Sequence, residues 1–447
     1  MFIKLILILM FLVSQVPAGC GRDVTAMPQT QTKDEGIQAK AAQVKAIEKA
    51  QKEVKQQPQS PEVYIKLSKT YLQNNMLDKA MITLKDLLKI KPDYIDAWIL
   101  LAQMNMLKKD YDSAEENCQK ALKINPNNPV VYSVLGNICI ELGDLKKAVT
   151  HLQRAIEIEP SFTSAHYNLA GVYYGQKEKD KAMVEYNEVI RLEPKNIEPR
   201  IKKVGIYMEN TDYNRAIEEI NTCMAINSGN VALYDLMGIV LSRRGETEKA
   251  IEWFLKSIKI NSRYPLAYEH LGDIYVSQKD YQMAIKYYQE ALKTEPRLGM
   301  VHYKLGNLFE VQKEYDKAIE KYQTVISINP DFVPACNNLA CLLAEQGRDL
   351  KDALKLAEKA NKLAPNRPEI VDTLGWVYYK NKDYKNATEM LEKANKLSAN
   401  NPFILYHLGM SYNKMGKKDE ARKMLEDVLK AYPCFEKKEE IEKILND

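Results

Sequence analysis

Histidine is scarce in this chain, five in 447 residues, and no G-x-S-x-G, phosphate-binding glycine loop or H-E-x-x-H stretch occurs. Nucleophilic, phosphoryl-transfer and zinc-hydrolase chemistries each need one of those constellations. The sequence therefore offers no catalytic centre, no cofactor or metal site, and no small-molecule substrate is expected. Charge of one sign is not in excess either: 64 basic residues stand against 60 acidic, a net charge of +4. A nucleic-acid partner needs a basic field, and with the signs mixed throughout there is none. The seven cysteines lack the short paired intervals of a zinc site. Cys118, Cys139, Cys223, Cys336 and Cys341 fall at or near helix-packing positions, where a thiol is an ordinary core residue; Cys434 is the one to watch for exposure. The apolar run from Leu5 to Val13 is well short of the roughly 20 residues a spanning helix takes.

What the sequence does have is repetition. Prolines at 92, 126, 160, 194, 296, 330, 365 and 433 are spaced by multiples of 34 residues except across the interval 330–365. Ala80, Ala114, Ala148, Ala182, Ala216, Ala250, Ala284 and Ala318 keep the same step, then Ala353 follows after 35, then Ala387 and Ala421. Gly136, Gly238, Gly272, Gly306, Gly375 and Gly409 sit between these rungs, often with a tyrosine three residues on, as in Tyr275, Tyr378 and Tyr412. Within Pro265–Leu298, Tyr268, Leu271, Ile274 and Tyr275 recur at helical spacing, a polar turn follows, and Ala284, Ile285, Tyr288 and Ala291 line a second helix. Small residues at 272 and 284 let the two helices approach, and the following proline stops the second.

This period and residue order closely resemble the tetratricopeptide repeat (TPR) family. The resemblance implies an all-α fold, an α-solenoid coiled as a right-handed superhelix of about eleven helix hairpins. The units are placed at 61–94, 95–128, 129–162, 163–196, 197–230, 231–264, 265–298, 299–332, 333–367, 368–401 and 402–435. A lone hairpin cannot bury its apolar stripe, so each unit must stack on its neighbours. The first and fifth are least regular, with Ser68 and Val204 in the glycine place. The ninth carries one extra residue in AEQGRDLKDAL, an insertion that loop-closure entropy tolerates easily. The wording of Asn337–Lys380 also resembles a variant found in bacterial envelope TPR proteins.

Residues 1–20 read as an export signal, and Ala18-Gly19-Cys20 resembles the end of a lipoprotein signal, although Pro17 stands where such signals usually have an aliphatic residue. Lipidation at Cys20 is the first reading; plain secretion, an uncleaved anchor and a cytoplasmic chain are the alternatives. Residues 21–60 change to a polar tether and then an Ala/Lys/Glu-rich helix with Ile37, Ala41, Val44 and Ile47 on one face. That helix either covers the first unit or acts as a spacer or coiled coil. Residues 436–447 read as a charged capping helix with Ile441 and Leu445 as its seam.

In the family, the first helices line a concave groove. Carried onto this chain, the ligand-facing positions are Lys66, Lys69, Ser133, Asn137, Tyr167, Asn168, Glu269, Asp273, Tyr303, Asn307, Asn337, Asn338, Asp372, Trp376, Tyr406 and Met410. Asn and Tyr suit an extended peptide, by amide pairing and ring packing. Lys69, Asn137 and Asn307 do not line up as the carboxylate clamp of chaperone-binding members. Trp376 with Tyr379 is expected as an exposed interface anchor. The function implied is a non-enzymatic scaffold for proteins or extended peptides, lipid-tethered at the bacterial envelope with its repeats in the periplasm, assembling a secretion or exopolysaccharide export complex. Alternatives are a soluble adaptor for client peptides and a regulatory subunit of an envelope enzyme such as a glycosyltransferase.

Overall fold

The structure, a computed structural model, describes residues 33–446, with side chains from residue 41 onward. Cys20, the export-signal segment and the start of the tether lie outside the described residues. All regular structure among them is helical, 24 helices with no strand. The chain divides between Leu233 and Tyr234 into two compact bodies. The N-terminal body holds α1 (Lys33–Gln56), then the hairpins α2 (Pro61–Gln73) with α3 (Leu77–Ile90), α4 (Ile95–Lys108) with α5 (Tyr111–Ile124), α6 (Pro129–Leu142) with α7 (Leu145–Ile158), α8 (Thr163–Gly175) with α9 (Lys179–Leu192), and α10 (Glu198–Glu209) with α11 (Tyr213–Ile226). The next helix, α12 (Val231–Arg243), runs across the division into the C-terminal body. There follow α13 (Thr247–Ile260), α14 (Pro265–Ser277) with α15 (Tyr281–Thr294), α16 (Gly299–Val311) with α17 (Tyr315–Ile328), α18 (Val333–Glu345) with α19 (Leu350–Leu363), α20 (Pro368–Lys380) with α21 (Tyr384–Leu397), α22 (Pro402–Lys414) with α23 (Lys418–Ala431), and α24 (Lys438–Asn446).

Counting positions from the first residue of each 34-residue unit, four devices recur. The first is the turn. Position 15 of every unit has positive φ, from 58° at Thr211 to 87° at Gly245, which reverses the chain between the two helices. The next residue caps the second helix: Asp110, Asp144, Asp212, Asp280 and Asp383 each accept a hydrogen bond from the amide three residues on, satisfying a donor that the helix start leaves orphaned. The extra residue of the ninth unit falls here. Gly347 keeps the usual positive φ, and Asp349 takes a second, at 43°, and caps nothing with its side chain.

The second device is the close approach inside each hairpin. Position 8 faces position 24, and where position 8 is glycine a Cβ would stand 2.4 Å from Tyr288 at Gly272, 2.5 Å from Phe254 at Gly238 and 2.7 Å from Leu152 at Gly136. The alanine rungs at position 20 are buried in all eleven units. In the first unit Ser68 takes the glycine place fully buried, its hydroxyl donating to the Ala80 carbonyl at 3.1 Å.

The third device closes the turn between units. A donor at position 4 reaches back six residues to a carbonyl: Tyr64 to Pro58, Trp98 to Pro92, Tyr132 to Pro126, His166 to Pro160 and His302 to Pro296, at 2.8–3.2 Å. Two of the histidines are thus turn staples. The fourth joins units: the position 11 tyrosine meets the position 25 side chain of the preceding second helix, as Tyr173 with Gln153 at 3.2 Å and Tyr412 with Glu392 at 2.9 Å.

That fourth device also places α1. Gln51 donates to Tyr71 at 2.7 Å with the same 20-residue separation, and Ala50, 2% exposed, occupies position 24 of a unit counted one period back. The N-terminal helix therefore packs on α2 as the second helix of a unit would, and covers the first hairpin. At the other end Ile441 is fully buried and Leu445 packs against the same cluster, so α24 caps the C-terminal body. Cys118, Cys223 and Cys336 are buried, Cys139 and Cys341 half-buried and Cys434 exposed, all as free thiols.

Gly272→Ala tests the close approach. Overpacking against Tyr288 costs about 1–3 kcal/mol, more than the roughly 1 kcal/mol that alanine gains in a helix, so urea unfolding is expected to show a less stable protein; a stabilised variant would show the contact to be slack. The turn makes a paired prediction. Asp280→Ala is expected to cost about 1 kcal/mol through its lost cap, whereas Asp349→Gly, relieving a left-handed residue that caps nothing, is expected to be neutral or stabilising by up to about 1 kcal/mol. Equal losses in the two variants would refute this account of the insertion.

Candidate functional site

A helix turns about 100° per residue, which puts positions 2, 5, 6, 9, 12 and 13 of each first helix on one face and positions 4, 7 and 11 on the opposite one. The sixteen residues expected in the groove all occupy positions 5, 6 and 9. The structure shows that half of them are engaged in rungs between units, with one another or with Lys304 and His407.

The rule is a donor at position 6 reaching back 35 residues to position 5, or 31 to position 9, of the preceding unit. In the N-terminal body Asn168 donates to Asn137 at 2.8 Å. In the C-terminal body the Lys304 ammonium lies 2.6 Å from Glu269 and 2.7 Å from Asp273, Asn338 donates to Asn307 at 3.1 Å and Tyr303 at 3.3 Å, and His407 Nδ1 meets Asp372 at 2.9 Å. His270 Nδ1 meets Asp235 at 2.9 Å. Tyrosines of the second helices support the rungs from beneath: Tyr288 donates to Asp273 at 2.7 Å, and the Tyr322 hydroxyl lies 2.7 Å from Asn307 and from Glu310. Burial works against the Lys304 charge, but Asp273 and Glu269 outweigh it and hold the ammonium pKa above its ordinary value. Burial raises the Glu310 carboxyl, which the Tyr322 hydrogen bond only partly offsets.

The remaining expected residues divide. Lys66 is paired with Glu53 of α1 at 2.6 Å, and Lys69 lies half-buried beside it. Tyr167 packs edge-on against Tyr186 at 5.8 Å. Asn337 is half-buried with a carbonyl that has no hydrogen-bond partner among the described residues. Four expectations are corrected. Ser133 is fully buried, and Trp376, Tyr406 and Met410 are 3%, 4% and 6% exposed. Trp376 is sandwiched between Tyr379, 4.6 Å away, and His407, 4.0 Å away, with its indole N–H donating to Glu345. Tyr406 donates to Glu440 of α24 at 2.9 Å. The capping helix, with Phe435 and Ile441, seals this end, so these aromatics are core and not anchors.

Sequence reasoning passed over Asp235, His270, Lys304 and His407, the partners that complete the rungs. It also passed over the apolar side chains left open on the same face: Leu266 and Met300 at position 2, Val276 at position 12 and Val311 at position 13, 41%, 48%, 36% and 62% exposed. Their signal was present, as aliphatic residues on a face otherwise polar. No group of metal-ligating side chains occurs among the described residues, and no helix among them is long and apolar enough to cross a membrane.

Sequence models of known families match four stretches. Tetratricopeptide repeat models match residues 230–294 and 300–332. The model of anaphase-promoting complex, cyclosome, subunit 3 matches 346–428, and that of the tetratricopeptide repeat protein 21 C-terminal ARM domain matches 28–204. No curated protein matches. Among solved structures, the chain is similar to YrrB, described as a TPR protein with an unusual peptide-binding site, at 22% identity over 42% of this chain and 95% of that one, with a TM-score of 0.37. It is similar to the APC/C hetero-tetramer Cut9-Hcn1 at 13% identity over 93% and 96%, TM-score 0.44, and to pilF of Pseudomonas aeruginosa at 22% identity over 45% and 92%, TM-score 0.36.

The His270 rung generates a pH prediction. Burial acts to lower this imidazole's pKa, but Asp235, with Asp273 and Glu269 nearby, more than offsets it, so the folded value is raised. A raised histidine contributes stability that is fully present below the unfolded value near 6.5 and is lost as pH rises through the folded one. The stability advantage of the wild type over His270→Asn, measured by urea unfolding, is expected to be larger at pH 6 than at pH 8.5. A pH-independent difference would mean that the imidazole is neutral in the rung.

Proposed function

This chain is a tetratricopeptide repeat protein, an interaction scaffold by architecture, and we propose that lipid on Cys20 holds it at the bacterial envelope, where its ladder face gathers proteins of a secretion or exopolysaccharide export system. Two stretches of sequence support the envelope setting: the apolar run ending in Ala18-Gly19-Cys20, and the wording of Asn337–Lys380. The observation that carries the binding reading is the set of exposed aliphatics, Leu266, Val276, Met300 and Val311, on the same helix faces as the rungs. Beside these aliphatics the rungs already hold Glu269, Asp273, Lys304 and Asn307, so a partner gains affinity chiefly by covering the apolar positions and specificity from the carboxylates beside them.

Mutating the rungs is a poor test of binding. Glu269 is only 12% exposed at its side chain and is paired with Lys304, so reversing its charge breaks the stack itself. The experiment is crosslinking in the native cell followed by identification of captured proteins, with the wild type, Cys20→Ala, and Met300→Glu with Val311→Glu. A few stoichiometric envelope proteins are expected with the wild type. Cys20→Ala is expected to move the protein to the soluble fraction, and the double variant to lose its partners with an unchanged melting curve. Retention of Cys20→Ala in the membrane refutes the lipid tether, and unchanged capture by the double variant refutes this face. A broad substoichiometric mixture of exported chains would indicate a client-binding adaptor.

A further inference from the structure

A cleft of about 520 Å³ opens in the N-terminal body between α3, α4 and α5. Its α4 residues, Trp98, Leu101 and Asn105, occupy positions 4, 7 and 11, so it lies on the side of the helix opposite the ladder face. The repeat explains why it is open. Position 11 is where Tyr71, Tyr173, Tyr378 and Tyr412 insert a phenol ring whose hydroxyl pairs with position 25 of the preceding second helix, with Gln51, Gln153, Glu358 and Glu392. In the second unit both members of that pair are changed. Asn105 stands at position 11 and Lys85 at position 25, with the same separation of 20 residues, and both line the cleft.

Two amide side chains line the cleft: Asn105 is 6% exposed and Asn117 is 9% exposed. A side-chain amide can both donate to and accept from a peptide group. Trp98 walls the cleft, its indole N–H committed to Pro92 at 2.8 Å and the Lys120 ammonium 4.8 Å from its ring centre. The other cations at the mouth are already neutralised: Lys89 pairs with Asp86, Lys108 with Asp78 and Lys120 with Glu116. The site therefore does not select a strongly charged ligand.

We propose that this cleft receives a tyrosine side chain from a partner polypeptide, completing from outside the slot that other units fill with their own. The ring fits because the same slot holds a phenol elsewhere in the chain. Lys85 can only donate, so the head group must accept, which a phenol oxygen does and a phenylalanine ring does not. The volume exceeds one ring, and the Asn105 and Asn117 amides are placed to pair with the peptide groups flanking it.

The test uses the full chain labelled with nitrogen-15 at its three tryptophans, the Trp98 signal being assigned by Trp98→Phe. The probes are N-acetyl-tyrosine methylamide and its phenylalanine counterpart, followed by the shift of the Trp98 indole signal. The tyrosine probe is expected to shift it saturably, and the phenylalanine probe to bind about tenfold more weakly, the loss of one hydrogen bond to a charged donor. Lys85→Met is expected to erase that difference. Asn105→Tyr, which supplies the ring from within, is expected to abolish binding and raise the melting temperature. No saturable shift with the tyrosine probe, equal binding of the two probes to the wild type, or undiminished binding to Asn105→Tyr would each overturn the proposal. Should Asn105→Tyr fold poorly, the Lys85→Met comparison decides alone.

Discussion

Everything else in this protein depends on how closely the two helices of a hairpin approach at positions 8 and 24. Where the first site is glycine the second holds a Leu, Phe or Tyr, and Gly272 beneath Tyr288 leaves no room for even a methyl group. That contact fixes the separation of the helices in a hairpin, and with it the pitch at which the next hairpin stacks. The pitch in turn is what makes constant sequence offsets meaningful. Six residues back for the turn staple, 20 for the tyrosine bridge, and 31 or 35 for the ladder recur only because, within each body, one hairpin meets the next in the same way.

The fold was legible in the sequence to the extent that it is written in single residue types. Glycine, alanine and proline report backbone approach, helix contact and helix termination, and they repeat as letters, so the period could be read without any knowledge of contacts. The ladder could not be read that way. Its rungs are Asn with Asn, His with Asp, and Lys with Glu and Asp, so nothing repeats as a letter, and the relation becomes visible only when two helices are seen side by side. The groove expectation named side chains at positions 5, 6 and 9 and missed that much of their chemistry was spent inside the protein. Trp376 misled for a related reason: it sits at a groove position, and only the seating of α24 and of the His407 ring makes it core.

The ladder also changes what the face can do. A groove lined by free Asn, Asp and Lys side chains would bind a peptide through them, whereas here an incoming chain would have to break a rung such as Lys304 with Glu269, leaving a carboxylate 12% exposed without its partner. The cost of uncompensated buried charge is high, so the rungs act as a rigid floor. Recognition passes to the residues that stacking does not require, the aliphatics at positions 2, 12 and 13 and the outer edges of carboxylates such as Asp273, 41% exposed.

The same reasoning applies wherever a unit departs from the pattern. A departure that leaves the pitch unchanged costs the array little. The added residue of the ninth unit is absorbed by a second left-handed residue at Asp349, and Leu350 still begins a helix whose Ala353 is fully buried on its rung. Asn105 is a departure of a different kind. It removes a ring from the slot between two second helices, and Leu101 and Ala102 beside it remain packed, so the stack survives while the slot stays open. A repeat array can thus vary residue by residue at positions outside the position 8 and 24 contact, and those are the positions at which such a protein can acquire a binding surface without losing its fold.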